Sequence, residues 1–402
     1  MSGCTGVSRS CGQRLPGDRV DHLISRRIPT IFHLIFAAPC LYVLARTLSP
    51  LTLPLWIKVG AAVLLLVASQ YHYWSRLSSG SVFAPEFPRA VVILFNWAFG
   101  TIVLLAMLQI LLDLGALVAM LVQRRGVPLP DGMRYAAAGL AAALAAIGVV
   151  NALRVPPIKD LEVTVRNLPA QFDGYRLLQL TDLHISRLFP ERWARAVVDR
   201  ANASEVDLIV VTGDFIDGSV AMRRADVAPL RDLHAPDGVY AIPGNHEYFF
   251  DYGAWMRHLA GLGLRMLPNA HTLLSRGDSR LVLAGVTDVS APATGHPGPD
   301  LAAALAGAPR GLPVLLLDHQ PKNAGRAAAR GVGLQLSGHT HGGMIVGLDR
   351  LVARGNNGFV SGRYDVGGMT LYVSNGTALW PGFALRLGRP SELTRITLRS
   401  PR

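Results

Sequence analysis

Hydrophobic and polar positions divide the chain into two halves of different texture. Residues 1–27 are polar and arginine-rich. Beyond them lie four apolar stretches, at 28–48, 51–71, 90–123 and 135–153. About 20 apolar residues suffice to cross a bilayer as a helix, so the region 28–155 predicts about four membrane helices. Pro54 and Lys58 weaken the second. The third is too long for one simple span and too short for two comfortable ones, which favours one span running on into an interfacial helix. Asp113 falls in its last third and is expected near the interface. The fourth is rich in alanine and glycine, which suits close helix packing.

Pro156 and Pro157 mark a change of pattern. From there to residue 402 short apolar runs alternate with polar or amphipathic segments. LLQL (177–180), DLIVV (207–211), GVYAI (238–242), RLVLAGV (280–286), PVLLL (313–317), LQLS (334–337) and MTLYVS (369–374) read as strands. ERWARAVVDRANAS (191–204) reads as a helix with Trp193, Ala196, Val197 and Ala201 on one side. Continuous apolar strands separated by helices predict a layered α/β domain.

Composition agrees. Of 402 residues, 50% are apolar and 16% charged, below the quarter or so usual for soluble domains. The net charge of +12 suits the flanks of membrane segments and anionic headgroups. The arginines are scattered, with no basic helix or aromatic platform, which argues against nucleic acid as a partner. Cysteine is confined to Cys4, Cys11 and Cys40, so the second half has no thiolate metal site and no disulfide framework. Basic residues give opposite answers about orientation: the tail and the segment after Leu153 favour a cytoplasmic domain, whereas Arg124 and Arg125 favour the far side.

Five strand ends in the second half carry polar residues of one kind. Asp182 and His184 follow LLQL. Asp214 and Asp217 follow DLIVV, Asn245 and His246 follow GVYAI, His319 follows PVLLL, and His339 and His341 follow LQLS. Functional groups of α/β sheets collect beyond the carboxyl ends of strands. Oxygen and imidazole donors without thiolates suit Mn, Fe or Zn. They are too many for one tetrahedral ion and about enough for two, with a carboxylate to bridge them. A metal pair lowers the pKa of a bound water and neutralises charge on phosphoryl oxygens; an imidazole off the metals can protonate the leaving oxygen. The Asp-x-His and His-x-His pairs are expected to be extended, so that both side chains of a pair reach one cluster.

These blocks, TDLH, GDFID, GNHE, LDHQP and GHTHGG, resemble the calcineurin-like metallophosphoesterase superfamily in order and spacing, over residues 160–398. The ending GTALWPGFALRLGRPSELTRITL resembles a membrane-attached bacterial branch; members of the wider group hydrolyse the pyrophosphate of UDP-diacylglucosamine. The resemblance implies a four-layer αββα domain, two mixed sheets face to face with helices outside. It implies that Asp182, His184 and His341 hold one metal, that Asn245, His319 and His339 hold the second, and that Asp214 bridges. His246 would be the catalytic imidazole, Asp217 would support the site through hydrogen bonds, and Glu247 would orient His246.

The expectation is a multi-pass membrane protein whose second half hydrolyses a phosphomonoester, phosphodiester or pyrophosphate, with a lipid-linked substrate favoured by the anchor. A metal-binding sensor without turnover is the reading from another class, and a transporter with a regulatory domain is a third. Asn375 and Gly376 could line the cleft or form a turn. His234, His258, His271 and Asp288 read as surface or supporting groups, and Trp380, Phe383 and Leu385 as an apolar patch or a contact for a lipid tail.

Overall fold

A computed structural model describes residues 37–401. The polar tail with Cys4 and Cys11, and the beginning of the first apolar stretch, lie outside the described residues. What is described of that stretch is a short apolar helix, α1 (Ala37–Leu48). Pro54 ends the next connection and α2 (Leu55–Ser69) follows it, bent by 52° against α3 (Tyr71–Ser79). The third stretch is one continuous helix, α4 (Arg89–Gln123), and the fourth is α5 (Asp131–Leu153). Among the described residues two helices, α4 and α5, are long and apolar enough to cross a membrane, or three if the bent pair α2–α3 is one span. The expected four are therefore two or three here, because the first stretch is only partly described and the second is broken.

The second half is two six-stranded sheets. The first holds β1 (Ile158–Thr164), β2 (Arg176–Leu180), β3 (Leu208–Thr212), β4 (Val239–Ile242), β5 (Arg265–Met266) and the last strand of the chain. The second holds β6 (Ala270–Arg276), β7 (Ser279–Gly285), β8 (Val314–Leu317), β9 (Leu334–Ser337), β10 (Gly362–Val366) and β11 (Met369–Val373). With the last strand as β12 (Leu393–Arg399), the orders are β1-β12-β2-β3-β4-β5 and β10-β11-β9-β8-β7-β6. Strands β2, β3, β4 and β5 run parallel, as do β7, β8, β9 and β11, while β12, β6 and β10 bring in antiparallel pairs.

The continuous apolar runs are explained by burial on both faces. Successive side chains of a strand point to opposite faces. Leu177, Leu208, Val210 and Ile242 meet Leu283, Leu315, Leu317 and Leu336 between the sheets. Their neighbours Leu178, Ile209, Val211 and Ala241 face outward onto Trp193, Val197 and Val198 of α6 (Glu191–Asn202) and onto Trp255 and Leu259. The outer face of the second sheet packs Val282, Leu316 and Val373 on Ala324 and Ala327. The chain is thus an N-terminal set of long apolar helices followed by a mixed α/β sandwich.

The two halves are locked together by the segment after β11. Leu385 is fully buried, and a Cβ added at Gly100 of α4 or Gly148 of α5 would come within 2.5 and 2.6 Å of it. The two glycines therefore make the slot that receives the leucine. Beside it, Asn96 donates to Pro381 O (2.8 Å) and accepts from Ala384 N (2.6 Å), Tyr71 Oη donates to Pro381 O (2.8 Å), and Arg386 N donates to Gly148 O (2.9 Å). Phe383 packs edge-on against Phe99. Leu385 and Phe383 thus pack inside the protein, against helices; they are not an exposed patch.

Candidate metal centre

The parallel strands of both sheets end at one rim, and the candidate residues stand there. Asp182 follows β2, Asp214 follows β3 and Asn245 follows β4, opening α7 (Asn245–Phe249); His319 follows β8, and His339 and His341 follow β9. The backbone at the rim is not extended. Asp182, His184, Asp214, His339 and His341 all have positive φ, between 42° and 69°. Asp and His are among the residues that tolerate this region best, and such conformations persist only where the surroundings enforce them. They are enforced here by hydrogen bonds across the rim: Asp182 N to Gly213 O (3.0 Å), His184 N to Asp214 O (3.1 Å) and His339 N to Asp182 Oδ1 (3.0 Å). The expectation that the Asp-x-His and His-x-His pairs are extended is therefore overturned.

The side chains fall into adjoining clusters. Asp182, His184 and His341 converge, with His184 Nε2 3.3 Å from His341 Nε2 and His341 Nε2 3.7 Å from Asp182 Oδ1. Asp214, His319 and His339 converge beside them, and Asn245 Oδ1 lies 3.2 Å from His319 Nε2 and 2.9 Å from His339 Nδ1. Asp214 stands between the clusters. Its Oδ1 accepts from His246 N (2.9 Å), while Oδ2 lies 3.2 Å from His319 Nε2, 3.8 Å from His184 Nε2 and 3.9 Å from His246 Nε2.

This arrangement fits bound cations. His319 Nδ1 donates to Thr212 O (2.7 Å), so Nε2 faces two oxygen acceptors. Burial disfavours charge on the ring, but the Asp214 carboxylate overrides it and holds its pKa well above the ordinary value, the cationic charge that a metal bound here would supply instead. His184 Nδ1 donates to Asp217 Oδ2 (3.1 Å), so its Nε2 lone pair likewise faces the cluster. His341 Nδ1 is buried without a hydrogen-bond partner among the described residues. Asp182, Asp214 and Asp217 are all buried, and uncompensated buried carboxylates are costly. Charge in this rim is tightly coupled. Burial pushes the Asp182 carboxyl up. For Asp214 burial pulls the same way, but the His319 and His246 imidazoles override it and hold that carboxyl well below its usual range. Burial drives His339 down to about 3 and His341 well below its ordinary value, which keeps both rings in the neutral form that binds metals. The His/Asp clusters are consistent with a dinuclear metal site.

His246 belongs to a third grouping, with His184 and Asp217. Its Nδ1 donates to Asp217 Oδ1 at 2.5 Å. Burial disfavours its charge, yet Asp214 and Asp217 overcome this and raise its pKa to about 9. Asp217 therefore orients two imidazoles at once. Glu247 does something other than expected: its carboxylate accepts Gly244 N (2.7 Å), Phe215 N (2.8 Å) and Asp214 N (3.1 Å), fixing the loops rather than the His246 ring. The glycines let those loops meet, since a Cβ at Gly244 would lie 2.2 Å from Asp214 Oδ1.

Sequence reasoning missed Arg386, Phe83 and Glu86. Arg386 is buried, and its guanidinium donates to His341 O (3.1 Å), Asn375 O (2.5 Å), Ala378 O (3.0 Å) and Arg389 O (3.0 Å). Burial lowers its pKa to about 10. Phe83 and Glu86 lie between α3 and α4, in the membrane half. The Phe83 ring sits 5.3 Å from that of His246, and Glu86 pairs with buried Arg223, whose Nε donates to Asp217 O (2.9 Å). Nothing in the local sequence marks Phe83 and Glu86, because their partners are remote in the chain, and Arg386 lay unremarked within the ending GTALWPGFALRLGRPSELTRITL. Gly376 lies beside His341, whereas Asn375 is engaged with Ser361 and Pro390. Asp288 accepts from Gln320, His271 lies 2.8 Å from Ala304 O, His234 is exposed, and His258 lies against Trp255; none joins the clusters.

Comparison with known proteins agrees with this geometry. Residues 175–343 match the profile of the calcineurin-like phosphoesterases. A transmembrane protein with metallophosphoesterase domain from Bos taurus is 36% identical over 270 residues, 64% of this chain and 60% of that protein. An uncharacterised metallophosphoesterase of Campylobacter jejuni, Cj0846, is 32% identical over 251 residues, 62% of this chain and 65% of its own length. Another, YkuE of Bacillus subtilis, is 31% identical over 277 residues, 66% of this chain and 93% of its own length. The chain thus spans less than two thirds of the animal relative and most of the Bacillus one.

Proposed function

We propose that this chain, which belongs to the calcineurin-like phosphoesterase family, is a membrane-anchored hydrolase of a phosphomonoester, phosphodiester or pyrophosphate. The observation that carries this reading is the pair of donor clusters meeting at Asp214 Oδ2. Asp182, His184 and His341 would hold one divalent ion (Mn, Fe or Zn), Asn245, His319 and His339 the other, and Asp214 both. Two such ions, when bound, supply a water of lowered pKa and neutralise charge on the phosphoryl oxygens.

The chain's own residues then do the following. Hydrogen bonds of Asp217 to His184 and His246 hold both rings at fixed orientation. His246, tied at Nδ1, presents Nε2 toward the cluster and gives a proton from that atom to the leaving oxygen. Glu247 and the close-packed glycines keep the Asp214 and Asn245 loops in register. The long apolar helices α4 and α5 keep the domain at a membrane, which favours a lipid-linked substrate. The relationship to membrane-attached bacterial members of the family is part of the same reading.

The test is hydrolysis of bis(p-nitrophenyl) phosphate and p-nitrophenyl phosphate by the purified full-length protein, with Mn added or chelated, alongside Asp214→Ala. Metal-dependent turnover in the parent, absent from the variant together with bound metal, is the expected result. Two bound ions without turnover on any phosphate ester would move the protein to a metal-binding sensor.

A further inference from the structure

The His246 ring has aromatic neighbours on its outer side. Phe83 lies edge-on to it at 5.3 Å and Phe249 is tilted against it at 5.3 Å. Phe83 also stacks on Phe249 (5.1 Å) and meets Trp380 edge-on (5.6 Å). Phe249 keeps 43% of its surface exposed, more than burial of an apolar ring in a core would leave. Phe83 comes from the connection between α3 and α4, and Trp380 from the segment that docks between α4 and α5, where its ring lies 5.6 Å from His72 of α3. The apolar wall beside the site therefore joins the connection before α4 to two segments of the phosphoesterase domain, and through Trp380 it touches α3.

We propose that Phe83, Phe249 and Trp380 form the subsite for the alcohol that leaves from phosphorus, and that this alcohol is apolar, so that the substrate is a phosphate ester of a lipid alcohol. The inference rests on the phosphoesterase reading and on His246 as the proton donor. A ring tied at Nδ1 to Asp217 meets the leaving oxygen with Nε2, and whatever that oxygen is attached to next meets the rings packed on His246. In the step itself a water oxygen bonds to phosphorus and gives one proton to solvent. The bond from phosphorus to the alcohol oxygen breaks, its electron pair stays on that oxygen, and His246 supplies the proton that completes the alcohol. Solvent then restores the proton to His246. A soluble, charged leaving group would meet three apolar rings and lose hydration without a partner.

The test is calorimetric binding of n-alkyl phosphates, methyl to dodecyl, to the Mn-loaded full-length protein in lipid nanodiscs. Parent, Phe83→Ala, Phe249→Ala and Phe83→Leu are compared, with bound Mn counted in each. In the parent, affinity is expected to rise at least about tenfold from methyl to dodecyl, as apolar contact requires. Phe83→Ala is expected to flatten that gradient to about threefold or less, and Phe83→Leu to restore it. Partition into the disc is the same for all four proteins, so equal gradients in parent and alanine variants overturn the inference, as does a flat gradient in the parent. Phe249, being exposed, decides the matter should Phe83→Ala fail to load metal. Turnover of bis(p-nitrophenyl) phosphate with a flat gradient leaves the phosphoesterase standing and removes the lipid alcohol. Absence of any phosphate binding removes both.

Discussion

The two oxygens of Asp214 have separate duties: Oδ1 accepts the His246 backbone N–H, and Oδ2 faces three imidazoles. Removing the carboxylate takes one donor from each cluster, so Asp214→Ala should empty both sites, and metal analysis should find neither ion retained. In the proposed assignment His246 stands outside the two ligand sets. His246→Ala should lower turnover by about 10²–10⁴-fold, the usual share of a general acid, while metal content matches the parent; loss of metal from that variant would reassign His246 as a ligand. The residues of this site were legible because Asp, His and Asn at five strand ends stand out against the apolar runs before them. Their conformation was not. Spacing of i and i+2 suggested extended pairs, but hydrogen bonds across the rim hold five of these residues at positive φ, and the tertiary pairings that do so leave no local trace. Glu247 shows the same limit: its place beside His246 in sequence suggested a partner for the ring, whereas its carboxylate is taken by three backbone N–H groups.

At the scale of elements, β2, β3, β4, β7, β8, β9 and β11 were readable from continuous apolar runs, whereas β1, β5, β6, β10 and β12 were not. These are more exposed or alternate with polar residues, as in the half-buried β12, and β10 has no fully buried residue. Two connections from the membrane half to the rim were also invisible, and each invites a test. Glu86 reaches Arg187 (2.7 Å) and the buried Arg223, which in turn holds the Asp217 backbone carbonyl. Glu86→Gln leaves the buried guanidinium with Asp226 at 3.6 Å as its remaining carboxylate partner. Breaking a buried pair is strongly destabilising, and with Asp226 still present the cost should be about 2–4 kcal/mol, read by chemical denaturation of the metal-loaded protein. Unchanged stability would show that Asp226 alone satisfies Arg223. On the other side, Leu385→Ala empties the slot between Gly100 and Gly148. A buried leucine truncated to alanine costs about 2–5 kcal/mol. Because Arg386 is the next residue and donates to His341 O, this variant should also hold metal less tightly than the parent, measured by chelator competition. Lost stability with unchanged metal affinity would confine the docking segment to a mechanical role.

On the scale of the whole molecule, the length of α4 has a structural cause. Its 35 residues extend about 52 Å at 1.5 Å per residue, well beyond a hydrocarbon core of about 30 Å. Val92, Asn96, Phe99 and Gly100 near its start are buried, the last three against the phosphoesterase segment Pro381–Leu385, so the first turns serve the docking and only the remainder is left for lipid. Leu111, Leu114, Val118 and Leu121 farther along are 53–67% exposed, as a lipid-facing surface requires. Within this stretch lies a polar level, where Asp113 accepts from Tyr42, Arg46 and Gln109; Asp131, at the start of α5, accepts from Thr52. The phosphoesterase half docks at the start of α4 and the end of α5, so the loop between these helices stands at the opposite end. Between Gly126 in that loop and the domain lies one candidate span, α5, whose 23 residues reach about 34 Å, just enough to cross. In a protein with its native cysteines replaced, a cysteine at Gly126 and one at Asp278, both exposed, should therefore react with an impermeant maleimide from opposite faces of sealed vesicles. Reaction of both from one face would mean that the α4–α5 hairpin enters the membrane and returns without crossing, and the apolar surface of Leu111 to Leu121 would then rest in one leaflet.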